Sequence, residues 1–491
     1  MFISLTLLCV YLSGCSLSKQ EIVWYISSPE NYGVNREELE EYQEINAKCF
    51  ELFNKRLSDM DIPAKVVFKY VSNRYEVSPE DFENNSFMKN DYLFQTTFIE
   101  NLVNKDPEAD IVSFSPMEFE KFAELDQYLL EDKNSKVLES LPDAIWDINR
   151  INGKTYQIPK GNASLTEITY IFNKTFIEKH NIDLEAHNIE NMTPVEVVNF
   201  LLPYFENERL LDNKYYLTSA SDLNYKCYFQ DRYIPVVQNS KDINIAIDTK
   251  ENKVVNMLDT YEMQNMFNLY QWIYEEDIDA HIERERLNGE PVFEITDIPT
   301  IKELSVDEDS YWKSISLGNR TVSRSIGNGV LKSSDNKDLA VQVLAASMYD
   351  KELSNIMIHG VPDIDYEVKD NKVTYKTNKM ISSMGSFSSI GNNMIALPNE
   401  LEVEEKEEIT KKLFLEAQIC HLKNFMPVFS TELSEKMSDV IQEYNNIQGI
   451  IGFETVPDVE KFINDEKDKL KSAGSEEIII ELQKQLDDWS K

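Results

Sequence analysis

The chain is poor in the residues that usually carry chemistry. It has 5 Cys, 5 His and 14 Gly in 491 residues. Cys9, Cys15, Cys49, Cys227 and Cys420 are widely spaced and contain no Cys-x-x-Cys pair. That excludes a disulfide framework and a cysteine zinc site, and leaves buried free thiols as the expectation. His180, His187, His281, His359 and His421 are scattered, and His281-Ile282-Glu283 does not continue into a zinc-binding HExxH. No GxSxG, P-loop or GxGxxG occurs, so no nucleophile elbow or phosphate cradle is written here. Asp363-Ile364-Asp365-Tyr366-Glu367 lacks the glycine of a calcium loop and reads as a turn. A carboxylate pair for glycoside hydrolysis is defined by geometry and not by spacing. No catalytic residue, cofactor or metal is assigned, and an enzyme is not expected.

Basic charge is also scarce. Lys and Arg number 49 against 87 Asp and Glu, for a net charge of −38. Such a field repels nucleic acid and anionic headgroups. No Lys or Arg precedes Lys19, although a secretory signal normally begins with positive charge. After Cys15 no apolar stretch approaches the length needed to span a bilayer.

What is present is ample core material: 42% hydrophobic and 11% aromatic residues. At this length two or three domains are expected. Glu21 to Ile26 reads as a strand, and Leu39 to Met60 as a long amphipathic helix stopped by Pro63. Ala64 to Val71 follows as a strand, then a helix around Tyr92 to Val103, then a strand at Ala109 to Phe114. Strands alternating with helices predict parallel pairing and an α/β lobe. Thr193-Pro194-Val195-Glu196 has the capping-box pattern of a helix start. Residues 289–310 are acidic with two prolines and read as a surface loop. Ser334 to Lys337 opens a helix through Met348, and Gly474 separates the last helix from its predecessor.

The apolar run from Phe2 ends in Leu12-Ser13-Gly14-Cys15, which resembles the lipobox of bacterial lipoproteins. The resemblance implies a signal peptide over 1–14, a lipid on Cys15 and a polar tether over 15–20. The segment INGKTYQIPKGNASLTEITYIFNKTFIEKHNID resembles the crossover of family 1 extracellular solute-binding proteins, the receptors of ABC sugar importers. Asn152, Gly153, Lys154, Tyr156, Ile158, Pro159, Phe172, Asn173 and Lys174 carry the match. ADIVSF at 109–114, FAELDQYL at 122–129, the stretch from Gly327 to Val368, and the tail from Phe425 fit in the same order. The family implies an α/β, two-lobed periplasmic-binding-protein-like fold (type II), with lobes joined by three hinge crossings. On this chain they would lie near 160–172, 318–328 and 391–398. Lobe one would be 20–160 plus 325–392, and lobe two 161–324 plus 393–491. The implied function is capture of a sugar, an oligosaccharide foremost, and delivery to ABC permease subunits from the outer face of the cell membrane. A surface lipoprotein that binds a peptide or another small polar solute, or an adhesion or sensing protein, is the alternative. No nucleic-acid partner is expected, and nothing points beyond a monomer.

In an open α/β sheet the ligand lies beyond the carboxyl ends of the strands. Ser27, Ser28, Asn31 and Tyr32 follow the first strand, Ser113 and Ser115 the third, and Lys160 and Asn162 the Ile158-Pro159 pair. Hydroxyl-rich ligands need such donors and acceptors, together with flat aromatic faces. Trp312 and Phe387 are the aromatic candidates; Phe387 stands where relatives often carry Trp. Arg320 and Arg324 flank the return crossing and could hold a carboxylate, or join an ion pair between the lobes. Trp24 and Trp272 read as core. The lipid anchor has a direct test. Cys15→Ala is expected to move the protein from the membrane fraction to the medium, because each buried CH₂ of the lipid contributes about 0.8 kcal/mol. Retention of the variant in the membrane would remove the lipobox reading.

Overall fold

The computed structural model describes residues 19–27, 36–72, 87–160, 165–209, 215–217, 232–236, 245–268, 271, 290–299, 312–376, 390–400, 402–453 and 456–490. Within them the chain builds three separate sheets with their own cores, plus two small strand pairs.

The first sheet has the spatial order 328–330, 109–113, 20–27, 64–71. Gln20–Ser27 runs parallel to both Ala64–Val71 and Ala109–Ser113, as the strand and helix alternation predicts. Asn328–Val330 adds antiparallel to Ala109–Ser113. Both faces are covered, which is the usual condition of parallel strands. Successive residues therefore serve different cores: Ile111 joins the cluster of Trp24, Phe53 and Leu344, and Val112 that of Phe114, Phe122 and Leu331.

Helix Arg36–Asp59 connects the first two strands. Its Cys49, Phe53 and Leu57, four residues apart, are all buried. Trp24 is edge-on to Phe53 at 6.2 Å and stacked on Phe68 at 5.5 Å, so it is core, as expected. Burying an aromatic of this kind contributes about 1.5–3 kcal/mol. Asn54 fixes the helix on the sheet: its Oδ1 accepts from the Val66 N–H at 2.7 Å, and its Nδ2 donates to the Val66 carbonyl at 2.9 Å. The helix ends where Asp61 takes a φ of 58° ahead of Pro63. The helix expected around 92–103 is two, Phe87–Gln95 and Phe98–Lys105. Thr96 and Thr97 both turn their hydroxyls back onto the Leu93 carbonyl and break it. Of the free thiols, Cys49 is buried, Cys420 is half-buried, and Cys227 lies outside the described residues.

The second sheet is antiparallel, with Leu165–Asn173 between Phe293–Pro299 and Trp312–Val322. Phe293–Pro299 is a strand within the surface loop expected over 289–310, whose residues 300–310 lie outside the described residues. Its acidic residues and Pro299 mask an apolar stretch, Val292, Phe293 and Ile295, that is buried with Tyr170 and Phe172. Helix Pro194–Arg209 covers this sheet. Its capping box is formed: the Thr193 N–H donates to Glu196 at 2.7 Å and the Glu196 N–H to Thr193 Oγ1 at 3.3 Å.

A third core joins the hairpin strands Tyr233–Pro235, Ile245–Asp248 and Lys253–Asn256 to helices Thr431–Phe453, Val459–Ser472 and Ser475–Trp489. Gly474, at φ 102°, provides the left-handed turn between the last two. Tyr92 of helix Phe87–Gln95 enters this core, and Lys89 pairs with Asp439. Among the described residues no helix is long and apolar enough to cross a membrane.

The chain does not leave the first core at 391–398, where the third crossing was expected. Ile390 and Met394 are buried in that core, and Asn392 Nδ2 donates to the carbonyls of Ser140 (2.9 Å) and Met348 (3.1 Å). Helix Lys406–Glu416 follows and buries Leu413 and Phe414 in the same core. The chain turns away only over 417–424, and Phe425 enters the third core.

His359 ties these returning segments together. Its Nε2–H donates to the Leu397 carbonyl at 2.9 Å, and its Nδ1 accepts from the Tyr375 hydroxyl at 2.8 Å. Burial pushes its pKa down to about 4 from the ordinary 6.5. The folded state therefore holds His359 neutral while the unfolded chain protonates it below pH 6.5. Stability from this group is present above that pH and is lost as pH falls toward 4, by about 3 kcal/mol. Urea unfolding at pH 7 and pH 4.5 should show a smaller pH-dependent loss in His359→Gln than in the native protein. Equal losses would contradict the assignment.

Candidate functional site

The chain leaves the first sheet over 158–160 and returns to it from the second over 322–328. The first-sheet ends of these segments lie against each other, backbone to backbone. The Ile158 N–H donates to the Asn328 carbonyl at 2.9 Å, and the Asn328 N–H returns to the Ile158 carbonyl at 3.2 Å. Gly327 makes this approach possible without needing an unusual φ. A Cβ there would lie 1.9 Å from the Ile158 carbonyl oxygen and 2.9 Å from Pro159 Cα. Gly329 plays the same part beside Phe122, whose ring would be 2.4 Å from an added Cβ.

Buried amides lock the pair. Gln157 Oε1 accepts from the Gly327 N–H at 2.6 Å, and Gln157 Nε2 donates to Asn149 Oδ1 at 3.0 Å. Asn149 Oδ1 also accepts from the Ser325 N–H at 3.2 Å. On the sheet side Trp24 Nε1 donates to Asn328 Oδ1 at 3.3 Å. Sequence reading missed Gln157, Asn149 and Asn328. The signal available was Gln157 itself, a lone amide between Tyr156 and Ile158-Pro159.

The segment after helix Lys406–Glu416 joins the junction from the other side. The Gln418 N–H donates to the Arg320 carbonyl at 2.8 Å, and the Val322 N–H donates to the Gln418 carbonyl at 3.2 Å. The strand Trp312–Val322 slips its register between Ser316 and Arg320, so residues 317–319 face the single residue Ile168. A bulge of this sort bends a strand and raises its twist, here just before the crossing.

Several candidates meet at this junction. Ser113 ends its strand opposite Asn328 and is half-buried, with Ser115 two residues on, also half-buried. Ser27 ends the neighbouring strand. Lys160 follows Pro159 at the crossing, half-buried, and burial holds its pKa below the ordinary lysine value. Arg320 lies 3.8 Å from Glu416, an ion pair between strand and returning helix. Arg324 sits on the second crossing and has no carboxylate partner among the described residues: its Nη2 donates to the Lys423 carbonyl at 2.6 Å and toward the Arg150 carbonyl at 3.4 Å. Trp312 is not brought to the junction. Its backbone pairs with Asn173 at the opposite end of the strand, roughly 30 Å from Val322 at the rise of an extended strand. Ser28, Asn31, Tyr32, Asn162, Phe387 and Cys15 lie outside the described residues. Among the described residues no group of three or more His, Cys, Asp or Glu is placed to hold a metal.

Gly327→Ala is expected to destabilise the protein by about 1–3 kcal/mol, read as a lowered urea midpoint, because the clash is with backbone that no side-chain rotation relieves. An unchanged midpoint would show that the crossings separate at little cost.

Comparisons with known proteins agree with this architecture. Residues 428–491 match the family model described as "Domain of unknown function (DUF3502)". A "Carbohydrate ABC transporter substrate-binding protein" of Streptococcus pneumoniae is 23% identical over 399 residues, covering 74% of this chain and 75% of that protein. The crystal structure of the N-glycan transport solute binding protein (NgtS) from Streptococcus pneumoniae superposes with a TM-score of 0.65 at 17% identity, covering 96% of this chain and 99% of that one. Its complex with Man1GlcNAc gives 0.60 at 18% identity, with the same coverage. The chain has the two-lobed fold of the extracellular solute-binding proteins, the family that its sequence resembles.

Proposed function

We propose that this chain is the solute-binding component of an ABC importer and captures an oligosaccharide between its lobes. The observation that carries the reading is the likeness to the pneumococcal carbohydrate-binding protein along 399 residues, spread over three quarters of both chains. The sugar complex of a protein of the same fold supports the ligand class. Lobe one comprises 19–158 with 328–416, and lobe two 165–322 with 425–490. The three connections between them are 158–165, 322–328 and 417–424.

The mechanism is capture without chemistry. The lobes turn about the crossings, and the ligand drives closure by binding the closed arrangement more tightly than the open one. Ser27, Ser113, Ser115 and Lys160 lie where the strand ends and the first crossing meet, and they offer hydroxyl and ammonium partners to sugar hydroxyls. Ser28, Asn31, Tyr32, Asn162 and Phe387 are proposed to complete the site. A role for Trp312 would require a ligand that reaches far from the hinge along lobe two. The lipid on Cys15 keeps a monomeric receptor at the outer face of the membrane, within reach of its permease subunits.

Titration calorimetry of the purified protein against a panel that begins with Man1GlcNAc and longer mannosyl-N-acetylglucosamine oligosaccharides tests the reading. Saturable binding of at least one sugar, weakened by Lys160→Ala, is expected. Binding of a peptide and of no sugar would overturn it.

A further inference from the structure

Among the described residues, several sealed polar atoms without a partner fall on three neighbouring segments. Arg324 Nε, Arg324 Nη1, Ser325 Oγ, Trp146 Nε1 and Asn424 Oδ1 are all shut off from solvent and make no hydrogen bond. They belong to the second crossing, to helix Asp143–Asn149, and to the 421–424 turn that packs on that helix. Asn424 is tied to the same helix, its Nδ2 donating to the Asp147 carbonyl at 2.9 Å.

Arg324 is the anomaly among them. Its Nη2 is used on the carbonyls of Lys423 and Arg150, but among the described residues the N–H groups on Nε and Nη1 find no acceptor. The carboxylates in the vicinity are engaged elsewhere: Asp126 and Asp147 with Arg150, and Glu416 with Arg320. Burial alone lowers the Arg324 pKa, to about 10, which leaves it a cation at neutral pH. A buried cation without a counter-charge is unfavourable, and natural interiors pair such groups or bind an ion to them. Among the described residues no carboxylate pairs with this cation.

The donors define the occupant. Nε–H, Nη1–H and the indole N–H of Trp146 can only donate, and the Ser325 hydroxyl can do so. The occupant therefore accepts and carries negative charge. It is also small, because the Nε and Nη1 atoms themselves are sealed from solvent. We propose that Arg324 holds a small inorganic anion of the chloride type at the junction of the crossings. Bound there, the anion neutralises the guanidinium where the second crossing meets the 421–424 turn, and so makes the rigidity of the junction depend on halide.

Bromide is the probe. Crystals of the protein soaked in sodium bromide are expected to show an anomalous peak within hydrogen-bonding distance of Arg324 Nε and Nη1. Thermal unfolding in sodium chloride is expected to lie a few degrees above that in sodium gluconate at equal ionic strength, and Arg324→Met is expected to lose the difference. Density for water at Arg324 without anomalous signal overturns the proposal, whatever the melting curves do. A chloride response that Arg324→Met retains also overturns it. If Arg324→Met does not fold, the bromide peak in the native protein decides.

Discussion

The structure depends on one close approach, the backbone of Gly327 against that of Ile158 and Pro159. Two chain segments cross between sheets here, and each has polar N–H and C=O groups to satisfy while passing through buried surroundings. The reciprocal bonds between Ile158 and Asn328 satisfy two donors and two acceptors at once. That pairing forms only if the residue before Asn328 carries no side chain. Any Cβ at 1.9 Å from a carbonyl oxygen would force the segments apart. The Gln157 and Asn149 amides then fill the bonding needs that the paired backbones leave. A buried amide network of this kind is costly when partly satisfied and rigid when complete.

From that junction the rest of the molecule follows in layers. The first sheet is anchored through Asn328, which is both the last bond of the crossing and the first residue of the edge strand beside Ala109–Ser113. The second sheet is anchored through Val322, the last residue of an eleven-residue strand bulged just before it. The turn after helix Lys406–Glu416 pairs with Arg320 and Val322 and brings the C-terminal helices into line. Two sheets joined at such a seam can change their mutual angle, which is what a receptor that closes on its ligand requires.

Much of the fold was legible in the sequence, and the exceptions have physical causes. The first three strands and the long helix were readable because Trp24, Phe53 and Val66 recur with the periods of strand and helix. Thr193 and Glu196 announced their helix, and Gly474 its turn. Phe293–Pro299 was hidden because its acidic residues and proline resemble a loop, whereas its short apolar stretch packs on Phe172. Ser334 and Asn336 start their helix without capping it by a side chain, because both are drawn to the buried Asp110. Residues 390–394 stay with the first core because Asn392 bonds to carbonyls distant in sequence, which local pattern does not reveal. Within the candidate site, Ser113 and Lys160 are expected from their positions after a strand and at the first crossing. Arg324 was singled out for its place beside the return crossing, but Gln157 was not, and which side-chain atoms lack a partner is visible only in three dimensions.

Small-angle X-ray scattering of the protein in solution, with and without a saturating oligosaccharide, tests most directly the claim that ligand closes two lobes about this seam. A decrease in radius of gyration on binding, reversed when the sugar is removed, is the predicted result. Calorimetric binding with an unchanged scattering profile would contradict it.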